Sequence, residues 1–198
     1  MEHLLSNRLI KDSQHGFMPG RSCTTNLITF LEKATLAKDN GKAMDVVYLD
    51  FSKAFDKVPH RRLLKKMEGK NINEGVINWI ENWLTGRTQR VKVNGEMSEE
   101  GEVGSGVPQG TVLGPCLFTI FIDDADDSAV GETQIIKFAD DTKALRTTEN
   151  DQDAQELQET TCACGPLLGA WASMSKSAKS CISGTITPRE NTGWGDNP

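Results

Sequence analysis

The run IIKFADDTKAL (135–145) reads as two short strands around a turn at Asp140-Asp141. It therefore sets two adjacent carboxylates at the tip of a hairpin. A second β-rich run, MDVVYLD (44–50), puts Val46, Tyr48 and Asp50 on one strand face and Val47 and Leu49 on the other. Asp50 then stands at the C-terminal end of its strand, where a carboxylate can leave the core. If the two elements are neighbours, three carboxylates from distant parts of the chain converge. Close anions repel strongly in a dry site and persist only if protonated or neutralised by divalent metal. An all-oxygen ligand set favours Mg2+ or Mn2+ over Zn2+. The plainer reading, that Asp-Asp is a common turn dipeptide, stays open on these residues alone.

Helical spacing organises much of the remainder. Leu27, Ile28, Leu31 and Ala34 predict a helix over about 24–38, started by Ser22 or Thr24. The preceding HGFMPGRS (15–22) reads as a turn. One further helix starts near Pro59 and uses Leu63, Leu64 and Met67; another uses Val76, Ile77, Ile80, Trp83 and Leu84. RTQRVKV (87–93) is strand-like, and Asn94-Gly95 marks a tight hairpin turn. The Gly/Pro-rich loop GSGVPQG (104–110) leads into an apolar helix, VLGPCLFTIFI (112–122). The polar stretch 148–160 can form a helix. Over 161–198 Ser, Thr, Gly and Pro dominate, which predicts loose packing and little buried apolar surface.

A chain of 198 residues, 37% hydrophobic, can bury a core without disulfide staples. Its five cysteines (Cys23, Cys116, Cys162, Cys164, Cys181) are odd in number and irregularly spaced, which fits a reducing compartment. Cys162-Ala163-Cys164 lacks the second Cys or His pair of a zinc site. No 18-residue apolar run predicts a membrane span, and MEHLLSNRLIKD lacks the apolar stretch of a signal peptide. The net charge of -6 hides a split: residues 1–92 hold 16 Lys+Arg and 10 Asp+Glu, residues 93–198 hold 6 and 18. A basic half can meet phosphates, whereas an acidic half repels them unless metal ions intervene. The densest basic run, 53–70, has the plain reading of a solvated helix face.

Three runs in fixed order, YLDFSKAFDKVPH (48–60), SGVPQGTVLGP (105–115) and KFADDTK (137–143), resemble the reverse-transcriptase domain of non-LTR (LINE-type, jockey-like) retrotransposons. The resemblance extends to QHGFMPGRSCTTNL (14–27), VINWIENWLTGRTQRVKVNG (76–95) and IFIDD (120–124), and covers roughly residues 4–160. It implies an α+β right-hand polymerase palm: a small antiparallel sheet with helices on one side, partial fingers and no complete thumb, in a domain truncated at both ends. Residues 1–42 would be partial fingers, 43–147 the palm core and 148–198 a degraded or poorly ordered tail. The implied activity is RNA-directed DNA polymerase, a two-metal transfer of dNTPs to a primer 3′-hydroxyl with two Mg2+, or Mn2+, ions. The implied partners are an RNA template, a DNA primer and a dNTP, with no membrane and no obligate protein partner, in an intracellular, nuclear setting.

Site residues carry over one by one. Asp50 matches the first metal-binding aspartate, and the backbone carbonyl of Phe51 adds a ligand. Asp140 matches the second, and Asp141 is its neighbour. The palm reading predicts that these three carboxylates lie within a few ångströms of one another. Backbone amides at Lys53 and Ala54 would sit near the triphosphate. Phe55 matches the steric gate under the incoming sugar, though the residue alone reads as core. Gln109 and Gly110 match the loop that contacts the incoming nucleotide and template. Met18 stands where family members usually carry Arg, while Arg21 is retained. Asp123, Asp124, Asp126 and Asp127 imitate a metal site, but the resemblance puts them in a loop before the hairpin. His60 reads as a surface or supporting residue. The rival readings are a retrotransposon remnant without turnover and an RNA-templated RNA polymerase on the same palm; Phe55 and the FADD box argue against the latter.

Overall fold

The structure is a computed structural model that describes residues 1–167 and 184–186, of which 165–167 and 184–186 are described as backbone. After α1 (Glu2–Ser6) and a looped segment, α2 (Cys23–Asp39) begins with a reciprocal cap. Ser22 Oγ accepts from Thr25 N at 3.2 Å, and Thr25 Oγ1 accepts from Ser22 N at 2.9 Å. Two backbone donors at the helix start, those of Ser22 and Thr25, are thereby satisfied. Next come β1 (Ala43–Leu49), α3 (His60–Gly69) and α4 (Glu74–Leu84). Leu63, Met67, Ile77, Ile80 and Leu84 bury into one core, which Met18 also joins. A thin arm follows: β2 (Thr88–Gln89), β3 (Lys92–Val93), β4 (Glu96–Met97) and β5 (Gly101–Glu102), paired β2–β5 and β3–β4. Asn94 and Gly95 both take positive φ, 51° and 92°, as a two-residue hairpin turn demands. The apolar α5 (Leu113–Ile122) and a short 3-10 turn (Asp123–Ser128) lead to the hairpin β6 (Gln134–Phe138) and β7 (Asp141–Thr148). The chain continues through α6 (Asp151–Leu167) to β8 (Gly184–Ile186).

The main sheet is antiparallel, in the order β6–β7–β1–β8. One face sets Met44, Val46, Ile136 and Leu145 against Ala34 and Ala37 of α2. The other sets Val47, Leu49, Ile135 and Ala144 against Leu157 and Cys164 of α6. Helices thus cover both faces, not one. The reason is in the strand itself, because consecutive apolar residues at Val46 and Val47 commit both faces to burial. Leu27, Ile28 and Leu31 are about half exposed (51%, 57%, 49%), and α2 turns Asn26, Phe30, Ala34 and Ala37 inward instead. Small alanines let the helix lie close over the strands. Order also extends further than composition predicted, since α6 runs past 160 with Thr161 and Cys164 buried. Residues 168–183 and 187–198 of the expected tail lie outside the described residues. Among the described residues no helix is long and apolar enough to cross a membrane.

The four clustered aspartates are bound to cations. Asp123 meets Lys70 at 2.6 Å and accepts from Lys11 N at 2.8 Å. Asp124 meets Lys66 at 2.6 Å, and Asp127 meets Lys11. Asp126 accepts from Ser13 Oγ and forms an ion pair at 2.7 Å with Lys137, whose side chain is 0% exposed. Lys137 Nζ also donates to Asp123 O at 3.1 Å. This turn therefore fastens the N-terminal segment, α3 and the hairpin together. Removing one partner of a buried pair leaves an uncompensated charge and costs about 3–5 kcal/mol. Lys137→Ala should lower stability by that amount in urea denaturation, and a loss below about 1 kcal/mol, the scale of an exposed pair, would contradict this role.

Candidate active site

Pairing positions the carboxylates. The β1–β7 ladder ends at Leu49↔Thr142, so Asp50 continues β1 one residue past its last partner, across from Asp141. The β6–β7 ladder starts at Phe138↔Asp141, which leaves Ala139 and Asp140 as the turn. Asp50 and Asp141 are exposed and Asp140 is half-buried. The Asp140 carboxyl is held above the ordinary carboxylate range, first by burial and then by the negative charges of Asp141 and Asp50; a bond to its own backbone opposes the shift. All three residues therefore share one electrostatic neighbourhood.

The turn is braced from behind by the segment 13–16, which leads into and opens the turn expected over 15–22. His15 N donates to Lys137 O at 2.8 Å and Lys137 N to Ser13 O at 2.8 Å. Gln14 Oε1 accepts from Gly16 N at 2.8 Å and from Ala139 N at 3.0 Å. A Cβ on Gly16 would fall 2.2 Å from Ala139 N, so only glycine fits there. Asn26 of α2 donates to Lys137 O at 3.0 Å and accepts from Lys143 Nζ at 2.6 Å. His15 is kept below its ordinary pKa by burial, then by Arg21 and Lys143.

The segment after Asp50 carries the loop 104–110 on its back. Val107 N donates to Phe55 O and Gly106 N to Val58 O, each at 2.8 Å. Gly106 has φ of +88°, and a Cβ there would lie 2.6 Å from Asp56 O. Its carbonyl accepts from Arg87 at 2.7 Å and lies 2.8 Å from His60 Nε2, so of the two expectations for His60, surface or support, the contacts favour support. Gln109 donates to Asp56 Oδ1 at 3.2 Å, and Gly110 turns with φ of +76°. Lys53, exposed with φ of +56°, joins Asp56, Arg87 and Gln109 in lining a cavity of about 760 Å³. Asp50, Asp140 and Asp141 do not line it. Ala54 is buried, and Phe51 is half-buried between two core clusters. Phe55 is half-buried: its ring stacks on Phe118 (4.3 Å, 16°) and meets Phe17 edge-on at 6.1 Å.

The structure does not gather Asp50, Asp140 and Asp141 into the close trio expected: among the described residues no group of three or more His, Cys, Asp or Glu side chains could hold a metal ion. The donors nevertheless suit Mg2+ in kind: oxygen only, with unbalanced negative charge at Asp140. Mg2+ ordinarily takes one or two carboxylates plus water and substrate phosphates rather than a closed protein cage. An open pair of strand ends matches that habit.

Residues 1–191 match the sequence model of the family described as reverse transcriptase (RNA-dependent DNA polymerase). The chain is 30% identical over 148 residues to a probable RNA-directed DNA polymerase from transposon X-element of Drosophila melanogaster, covering 73% of this chain and 16% of that protein. It is 31% identical over 165 residues to the RNA-directed DNA polymerase from mobile element jockey of the same species, covering 76% and 18%. The chain thus spans under a fifth of the length of these two relatives. In structure it resembles telomerase from Candida tropicalis, with a TM-score of 0.60 at 13% identity, covering 93% of this chain and 31% of that one. That likeness speaks to the fold.

The raised carboxyl makes a signed prediction. A folded-state pKa above the unfolded value means that ionised Asp140 destabilises the fold near neutral pH, and that the penalty fades as pH falls through the folded-state value. Asp140→Asn should therefore raise Tm at pH 7 in chelator-treated protein and change it much less near pH 4. A lower Tm at pH 7 would contradict the assignment.

Proposed function

This chain belongs to the reverse transcriptase (RNA-dependent DNA polymerase) family, and from that premise we propose that it is the palm of an RNA-directed DNA polymerase that extends a DNA primer on an RNA template with dNTPs. The observation that carries the reading is the strand register, which sets Asp50 across from Asp141 beside the turn that bears Asp140. Two divalent ions, Mg2+ or Mn2+, held by Asp50, the Phe51 carbonyl, Asp140 and Asp141, would lower the pKa of the primer 3′-hydroxyl and stabilise the departing pyrophosphate.

The chain's own residues do the remainder. Lys53 and the backbone at Ala54 face the triphosphate from the segment that follows Asp50. Gln109 and Gly110 border the incoming nucleotide and template; the bonds from Val107 and Gly106 to 55–58 hold their loop at a fixed height. Phe55 serves as the gate beneath the sugar. Its stacking on Phe118, which is 0% exposed, fixes the ring so that it discriminates by clash. Base pairing to the template selects the nucleotide, and the protein reads backbone and shape.

Primer extension on an RNA template with Mg2+, using this chain, decides between a polymerase and a remnant without turnover. Asp50→Asn should reduce extension by roughly a thousandfold or more, as expected when several kcal/mol of transition-state support is lost at about 1.4 kcal/mol per decade. Phe55→Ala, compared at matched folded concentration, should raise ribonucleotide relative to deoxynucleotide incorporation. An unchanged ratio would leave Phe55 as core alone, and no extension by the unsubstituted chain would favour the remnant.

A further inference from the structure

Ala139 holds a left-handed backbone, φ of +55°, immediately before Asp140. A residue with a Cβ rarely adopts that conformation without support from its surroundings. The support is visible. Gln14 is 0% exposed, and its Oε1 receives two amides at once, Gly16 N at 2.8 Å and Ala139 N at 3.0 Å. Its Nε2 meets no acceptor among the described residues. A buried amide donor left without a partner is expensive, so what Gln14 contributes here is its oxygen. The backbone around it is locked as well, by the paired bonds His15 N to Lys137 O and Lys137 N to Ser13 O, and by the 2.2 Å approach a Cβ on Gly16 would make to Ala139 N.

We propose that Gln14 is a positioning residue: its carboxamide oxygen fixes the left-handed turn at Ala139 and so the direction in which Asp140 presents its carboxylate. The inference rests on the reading of Asp50, Asp140 and Asp141 as a metal-dependent centre. Gln14 touches neither substrate nor metal and acts through one amide hydrogen bond. Supporting partners of this kind typically change metal affinity by about tenfold to a hundredfold when removed.

Two substitutions in the full chain test it. Gln14→Met keeps the length and loses the acceptor, whereas Gln14→Glu keeps an oxygen at the same reach. Amide hydrogen exchange at Ala139 is compared with exchange across the β1–β7 ladder, and Mn2+ affinity is read from the free-ion resonance without any turnover. Gln14→Met should speed Ala139 exchange by about tenfold or more while the ladder is unchanged, because the opening is local. Its Mn2+ affinity should fall about tenfold, and Gln14→Glu should retain the protection. Unchanged Ala139 exchange in Gln14→Met, equal acceleration across the ladder, or lost protection in Gln14→Glu would each overturn the proposal. An unsubstituted chain that takes up no Mn2+ would overturn the metal reading instead, and the exchange rates would still decide whether the tether exists.

Discussion

Seven residue pairs, from Ala43↔Thr148 to Leu49↔Thr142, lock β1 against β7, and the candidate site depends on that register. Side chains alternate along a strand, so a slip of one residue would turn all of β7 over and carry Asp141 to the face opposite Asp50. Both faces resist the slip. Met44, Val46 and Leu145 must meet α2, and Val47, Leu49 and Ala144 must meet α6. Burial of ordinary apolar residues thus sets the position of carboxylates that are themselves poor core material. The burden shows at Asp140, whose carboxyl is raised by burial and by its acidic neighbours.

The charge split along the chain has an internal explanation. Lys11, Lys66 and Lys70 of the basic half pair with Asp127, Asp124 and Asp123 of the acidic half. The same turn holds Lys137 by Asp126, three residues before Asp140. Part of the basic run over 53–70 is therefore spent within the fold. Arg61 and Lys65 remain exposed on α3.

Much of this was legible in the residues. β1, the β6–β7 hairpin with its Asp140-Asp141 turn, the turn at Asn94-Gly95 and the helices around Leu63, Ile80 and Phe118 follow from period and turn chemistry, whereas the run 87–93, expected as one strand, is split into β2 and β3 in separate sheets. The inner stripe of α2 did not, because Leu27-Ile28-Leu31 and Phe30-Ala34-Ala37 both have helical spacing and only the sheet's need for close approach chooses between them. The covering of both sheet faces was signalled by the adjacent Val46 and Val47, a cue easily missed in so short a strand. The bracing by Gln14, His60 and Arg87 joins segments 125, 46 and 19 residues apart. No local pattern encodes such pairs. The lysine at 137, set in the apolar run IIKF, was the one visible hint of a buried counterion.

The central claim is that Asp50 and Asp140 act on the same divalent ions. A double-mutant cycle on Mn2+ affinity tests it most directly, with Asp50→Asn, Asp140→Asn and the pair compared in the folded chain. Residues that share a ligand are strongly coupled, whereas independent sites add within about 0.3–0.5 kcal/mol. The account predicts that the second substitution costs far less affinity once the first is made. Losses that simply multiply would contradict it and place the two aspartates in separate sites.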